Sequence, residues 1–74
     1  MEKLIEILEG LNPEVDYEKE DKLIDNRLFD SLTILSLIAE IEEEFDVTVP
    51  AVDIIPENFN SAKNIWELIQ RLED

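Results

Sequence analysis

Apolar residues recur every three or four positions in some stretches of the chain and are scattered in others. Over residues 2–10, Leu4, Ile5, Ile7 and Leu8 lead to Leu11 at near-helical spacing, and Gly10, the only glycine, stands where a helix would end. This predicts a first helix. From Asn12 to Asp30 the pattern dissolves, and Val15, Tyr17, Leu23, Ile24, Leu28 and Phe29 become intermittent anchors among Pro13 and scattered charges. A connection of that length in a compact domain is either functional or packed by its own side chains.

The strongest periodicity begins at Asp30 and Ser31, either of which can cap a helix running to about Phe45. Ile34, Leu37, Ile38, Ile41 and Phe45 follow the spacing of one buried stripe. Leu32, Leu35 and Ala39 form a second apolar stripe on a different side. A helix with two such stripes in so small a protein buries both or offers one to a partner. Val47, Val49 and Pro50 end it. The apolar piece at residues 51–56, with Ala51, Val52, Ile54 and Ile55 and closed by Pro56, reads as one helical turn or an irregular packed segment. Asn60 and Ser61 predict the cap of a last helix in which Ile65, Trp66, Ile69 and Leu72 fall largely on one side. No strand periodicity and no internal repeat is present. The expected fold is all-α: a single domain over residues 1–74, built as a small bundle of three main helices plus one short helix.

Charge narrows the partners. With 74 residues, 20 acidic side chains against 6 basic ones and a net charge of -14, the chain is repelled by phosphate backbones and anionic lipid, so no nucleic-acid or membrane role is expected. Basic protein surfaces are the partners that such a field steers in. Hydrophobic residues make up 45% of the chain, too many for a disordered acidic tail. The chain has neither cysteine nor histidine, which removes the commonest nucleophile, the commonest general base and the softest metal ligands. No catalytic residue and no metal site are expected, and the Glu-rich helix lacks the spaced oxygen ligands and glycine turn of a calcium loop. With no leader and no apolar run of membrane-spanning length, a free-standing, monomeric cytoplasmic protein is expected.

Every charged residue between Arg27 and Lys63 is acidic. Taken alone this is a solvated surface. It gains meaning because Ser36, Glu40, Glu42 and Glu43 interleave with or border the second stripe, producing a mixed apolar and acidic face that starts at Ser31. A helix N-terminus carries unpaired amides, and a phosphoryl group on a serine oxygen is well accommodated there. The plainer role of Ser31 is a cap. If Asp30 caps instead, the Ser31 hydroxyl is free.

The run Leu28-Phe29-Asp30-Ser31-Leu32, followed by a helix ending Glu42-Glu43-Glu44-Phe45 and by Val47-Thr48-Val49-Pro50, resembles the attachment segment of the acyl carrier protein family. The resemblance implies that Ser31 carries covalent 4'-phosphopantetheine taken from coenzyme A, and that Asp30 is associated with coenzyme A and metal positioning in the transferase. It implies that Leu32, Leu35, Ala39, Glu42 and Glu43, with Ser36 alongside, face partner enzymes. Those partners would be a phosphopantetheinyl transferase, an adenylating ligase that loads the cargo, and a downstream acyltransferase or synthase. Leu28 and Ser36 stand where fatty-acid-type members often carry glycine and glutamate. The stretch from Leu23 to Ser31 is instead similar to D-alanyl carrier proteins, which implies D-alanine destined for cell-wall teichoic acid. The alternatives are a carrier for fatty acid, polyketide or other secondary-metabolite synthesis, and an unmodified acidic helical module that binds a basic protein.

Overall fold

The structure, a computed structural model, describes residues 1–73. Asp74, which closes the single domain expected over 1–74, lies outside the described residues. The chain forms α1 (Glu2–Leu11), α2 (Ser31–Phe45), a 3-10 turn (Ala51–Asp53), α3 (Pro56–Phe59) and α4 (Ala62–Glu73). No strand occurs among the described residues, so the all-helical expectation of three main helices and a short one holds.

In α1, Leu4 and Leu8 are fully buried. Gly10 does not end this helix; it lies inside it, in open space. The terminator is Asn12, whose φ of -150° and ψ of 97° leave the helical region. The cause is Pro13, which pushes the residue before it toward extended backbone.

The long connection is packed by its own side chains. Tyr17, Leu23 and Phe29 are buried, with the Tyr17 and Phe29 rings edge to face at 6.2 Å. The Tyr17 hydroxyl lies 2.8 Å from the Leu8 carbonyl and 2.6 Å from that of Asn12, and donates to them. Burial, with the charge of Glu9 behind it, pushes the phenol up to about 12. Leu28 was expected as an anchor and is not one: it is exposed. Arg27, at a φ of 58°, reverses the chain so that Leu28 and Phe29 both donate to the Leu23 carbonyl, and only Phe29 turns inward.

Leu37, Ile38 and Ile41 of α2 are buried, while Ile34 and Phe45 pack at the core's margin. The helix ends at Asp46, left-handed at a φ of 54°, a conformation that aspartate tolerates better than most residues. Of the two forms expected for 51–56, one helical turn is the form present, as the 3-10 turn at Ala51–Asp53. The stretch is not packed, since Val52 is 81% exposed and Ile54 and Ile55 are both exposed as well. Pro56 opens a helix rather than closing a segment, because its missing N–H costs nothing at the first helical position. The short helix is therefore α3, and its anchor is the buried Phe59.

The Ser61 hydroxyl accepts from the Asn64 amide at 3.0 Å and caps α4, which buries Ala62, Ile65, Leu68 and Ile69. Trp66 stays at the margin, edge to face with Phe45 at 5.9 Å. Helix α1 packs on α2 and α4, α2 on α4, and α3 on α4. Lys3 near the start of α1 pairs with Glu44 near the end of α2 at 2.8 Å, and Asn12 donates to the Leu28 carbonyl at 3.3 Å, so α1 and α2 run antiparallel. The radius of gyration is 11.0 Å, which matches the ~11 Å of a compact chain of this size despite the net charge.

Candidate functional site

The head of α2 depends on Asp30. Its backbone is extended, at a φ of -89° and a ψ of -179°, and its carboxylate accepts from the Thr33 amide at 2.8 Å while its carbonyl accepts from the Ile34 amide at 2.9 Å. The Thr33 amide, joined by the Thr33 hydroxyl, holds the Asp30 carboxyl below the usual carboxylate range. Of the two residues able to cap α2, Asp30 does so. Ser31 becomes the first helical residue, exposed and released from that duty.

The side chains that follow Ser31 divide the predicted face. Leu32 is 75% exposed and Leu35 61%, and Ser36, Ala39 and Glu43 are exposed beside them. Glu42 differs. It is half-buried, and one carboxylate oxygen accepts from the Val49 amide at 2.9 Å, which ties the chain after α2 back onto the helix. Sequence spacing placed Glu42 on a solvated face and gave no sign of this bond, which depends on how the chain returns after Asp46. Helix α2 contains no basic side chain.

One further feature borders α2. Ile34 of α2, Ile24 of the long connection, and Ile54, Ile55, Pro56 and Phe59 line an apolar cavity of about 190 Å³. Exposed Leu28 and the exposed residues Ile54 and Ile55 thus join Leu32 and Leu35 as apolar surface that no core contact explains. An apolar run closed by proline in a chain with so little core to fill was the signal available for it. A cleft of about 510 Å³ between α3 and α4 is lined by Glu57, Asn58, Asn64, Glu67, Gln70 and Arg71 and includes none of the predicted site residues.

Among the described residues no group of acidic side chains is placed to hold a metal ion, and no helix is long and apolar enough to cross a membrane. What the head of α2 can do is present a hydroxyl for esterification. A phosphodiester on the Ser31 oxygen would stand at the open turn of a 15-residue helix, whose amides and dipole favour negative charge. The residues present fit such a group.

Comparison with known proteins agrees with that chemistry. A family profile described as the phosphopantetheine attachment site matches residues 3–72. The D-alanyl carrier protein of Streptococcus sanguinis is 33% identical over 73 residues, covering 97% of this chain and 92% of its own. That of Listeria monocytogenes is 32% identical over 74 residues, covering 97% and 95%. Aminoacyl carrier protein 1 of Bradyrhizobium diazoefficiens is 30% identical over 71 residues, covering 90% and 78%. No solved structure matches the chain. Since the match takes in nearly the whole four-helix fold, including the exposed serine at the head of α2, the chain belongs to the phosphopantetheine attachment site family of carrier proteins.

Proposed function

We propose that Ser31 is the attachment residue and that the α2 face beginning there docks the enzymes that modify, load and unload this carrier. The covalently bound 4'-phosphopantetheine supplies the thiol on which a carrier of this family holds its activated group as a thioester, chemistry a chain without cysteine cannot provide itself. One observation carries the assignment to Ser31: Asp30 takes the capping bond, so the exposed Ser31 hydroxyl at the head of α2 has no structural duty.

In the attachment step Ser31 Oγ forms the bond to phosphorus, the adenosine bisphosphate portion of coenzyme A leaves, and the hydroxyl proton passes to a base. Asp30 is a poor candidate for that base, because the Thr33 amide holds its carboxyl in the ionised form and weakens its hold on a proton. With no histidine in the chain, the base belongs to the transferase. What this protein contributes is a hydroxyl in a fixed position and a docking face: Leu32 and Leu35 for apolar contact, Ser36 and Ala39 for close approach, and Glu43 with the free oxygen of Glu42 for steering toward basic partners.

Incubation with coenzyme A, magnesium and a broad-specificity phosphopantetheinyl transferase should add one phosphopantetheine to the intact mass, and Ser31→Ala should abolish the gain. A wild-type chain that stays unmodified, or a Ser31→Ala chain that still gains the mass, rejects the assignment.

For the cargo, an amino acid is favoured, with D-alanine first. The support is the naming of relatives as D-alanyl and aminoacyl carriers, together with Leu28 and Ser36 at the two positions that distinguish fatty-acid-type carriers. The enzymes that follow are then an adenylating ligase and a downstream acyltransferase. Modified chain given ATP, a D-alanine-activating ligase and D-alanine should gain a hydroxylamine-labile D-alanyl mass. Loading by a fatty-acyl ligase in its place would move the protein to the acyl branch of the family.

A further inference from the structure

The segment that delivers Asp30 and Ser31 has no regular secondary structure, yet its backbone donors are nearly all accounted for. Within the turn, Asn26 donates to Lys22 at 2.8 Å, Arg27 to Ile24 at 3.0 Å, and Leu28 and Phe29 to Leu23 at 2.9 and 3.2 Å. The amides of Leu23, Ile24 and Asp25 face the other way, and all of them end on one residue far along the chain. Leu23 donates to the Asn60 carbonyl at 2.8 Å, and Ile24 and Asp25 donate to the Asn60 side-chain oxygen at 2.9 and 3.1 Å. The Asn60 amide nitrogen in turn donates to the Asp25 carboxylate at 3.4 Å. A single carboxamide thus caps the first turn of this segment as an N-cap residue caps a helix, but from 35 and 36 positions away in sequence.

We propose that Asn60 is a positioning residue: its side chain clips residues 23–25 to the junction of α3 and α4, and so sets where Asp30 and Ser31 stand for the enzyme that modifies Ser31. This rests on the reading of Ser31 as the attachment site. The hydrogen bonds within the turn fix its shape, and its placement against α3 and α4 is what the Asn60 side chain adds. Arg27 holds a left-handed conformation that is unfavourable for a residue with a side chain, and such conformations persist only where surrounding contacts over-determine them. The anchors Leu23 and Phe29 hold its two ends in the core, whereas the Ile24 and Asp25 amides between them are held by Asn60. Asparagine suits the place because one side chain must accept from two amides and also donate to a carboxylate. Aspartate would accept equally well and repel Asp25. The clip also closes one wall of the apolar cavity, because Ile24 and Phe59 both line it and the Ile24 amide is bonded to the residue that follows Phe59.

The test uses the full chain in its unmodified form and reads two quantities. Asn60→Ala should speed amide hydrogen exchange at Ile24 and Asp25 by about tenfold or more while the amides of Leu37, Ile41 and Ile65 keep their protection. The same variant should lower kcat/KM for modification by the transferase about tenfold, since small displacements of a reacting group are costly in rate. Exchanging the partners in the double variant Asn60→Asp with Asp25→Asn restores the acceptor for both amides and the contact between the two side chains. It should return both readouts to within about threefold of wild type. Unchanged exchange at Ile24 and Asp25 in Asn60→Ala, or faster exchange there with wild-type kcat/KM, overturns the proposal. So does a uniform loss of protection in all helices, which makes Asn60 a general stability residue. If the wild-type chain itself is not modified, the attachment reading fails, and the exchange data still decide whether the clip holds the segment.

Discussion

Leu35 and Leu37 are the same residue two positions apart on α2, yet Leu37 is fully buried and Leu35 is 61% exposed. On the inner face Leu37, Ile38 and Ile41 meet α1 and α4, and each fully buried side chain of this kind contributes about 1.5–3 kcal/mol. On the outer face Leu32 and Leu35 are as apolar and leave most of that contribution unused. A small domain with a thin stability margin has reason to bury such residues, so leaving them in water beside Ser31 marks the outer face as a surface for something else. The inner face accounts for the fold, and the outer face is the one proposed to dock partner enzymes.

That contrast can be broken at several levels. The largest effect is expected on the inner face: Leu37→Ala or Ile41→Ala should cost about 2–5 kcal/mol, enough to unfold much of a chain this small. Urea unfolding followed by far-ultraviolet circular dichroism measures it, and a loss below about 1 kcal/mol would mean the inner face is less important than its burial suggests. At the head of the helix, Asp30→Ala should lower the melting temperature by a few degrees near neutral pH. The Asp30 carboxyl titrates lower in the folded protein than in the unfolded one. Its stabilisation is therefore present in full above the usual carboxylate range and is lost as the pH falls through the folded value. The gap between wild type and variant should close on acidification, and a gap that stays constant with pH would show that capping is not its source.

The smallest change in stability is expected on the outer face. Leu35→Ala should shift stability by less than about 0.5 kcal/mol and still slow modification and loading several-fold. Glu43→Lys should slow the same steps more at low salt than at high salt, because steering by exposed charges is screened. Glu43 is the cleaner choice than Glu42, whose carboxylate also holds Val49 in place. If Leu35→Ala destabilises as much as Leu37→Ala, the two faces are not distinct.

Local pattern made much of this legible. The bounds of α2 and α4 could be read from the sequence because a cap residue followed by apolar spacing of three and four acts within a few residues. The place of Ser31 at a helix head could be read for the same reason, whereas its role as an attachment residue came from the resemblance of residues 28–50 to the acyl carrier protein family. The choice between Asp30 and Ser31 as the cap was not legible, because both are good caps and a backbone angle decides between them. Gly10 misled because glycine is only a permissive terminator, whereas Pro13 acts sterically on Asn12.

What the amino-acid sequence determined by itself, then, was an all-helical chain with two apolar stripes on its middle helix, a serine at the head of that helix and an acidic surface around it. Tertiary structure alone decided that the second stripe stays in water, that Val52, Ile54 and Ile55 stay exposed, that Glu42 reaches Val49, and that Asn60 holds the segment entering α2. The physical reason is range. Helix periodicity and capping are set by neighbours within one or two turns, whereas burial and the partners of a side-chain amide depend on segments that only the folded chain brings together.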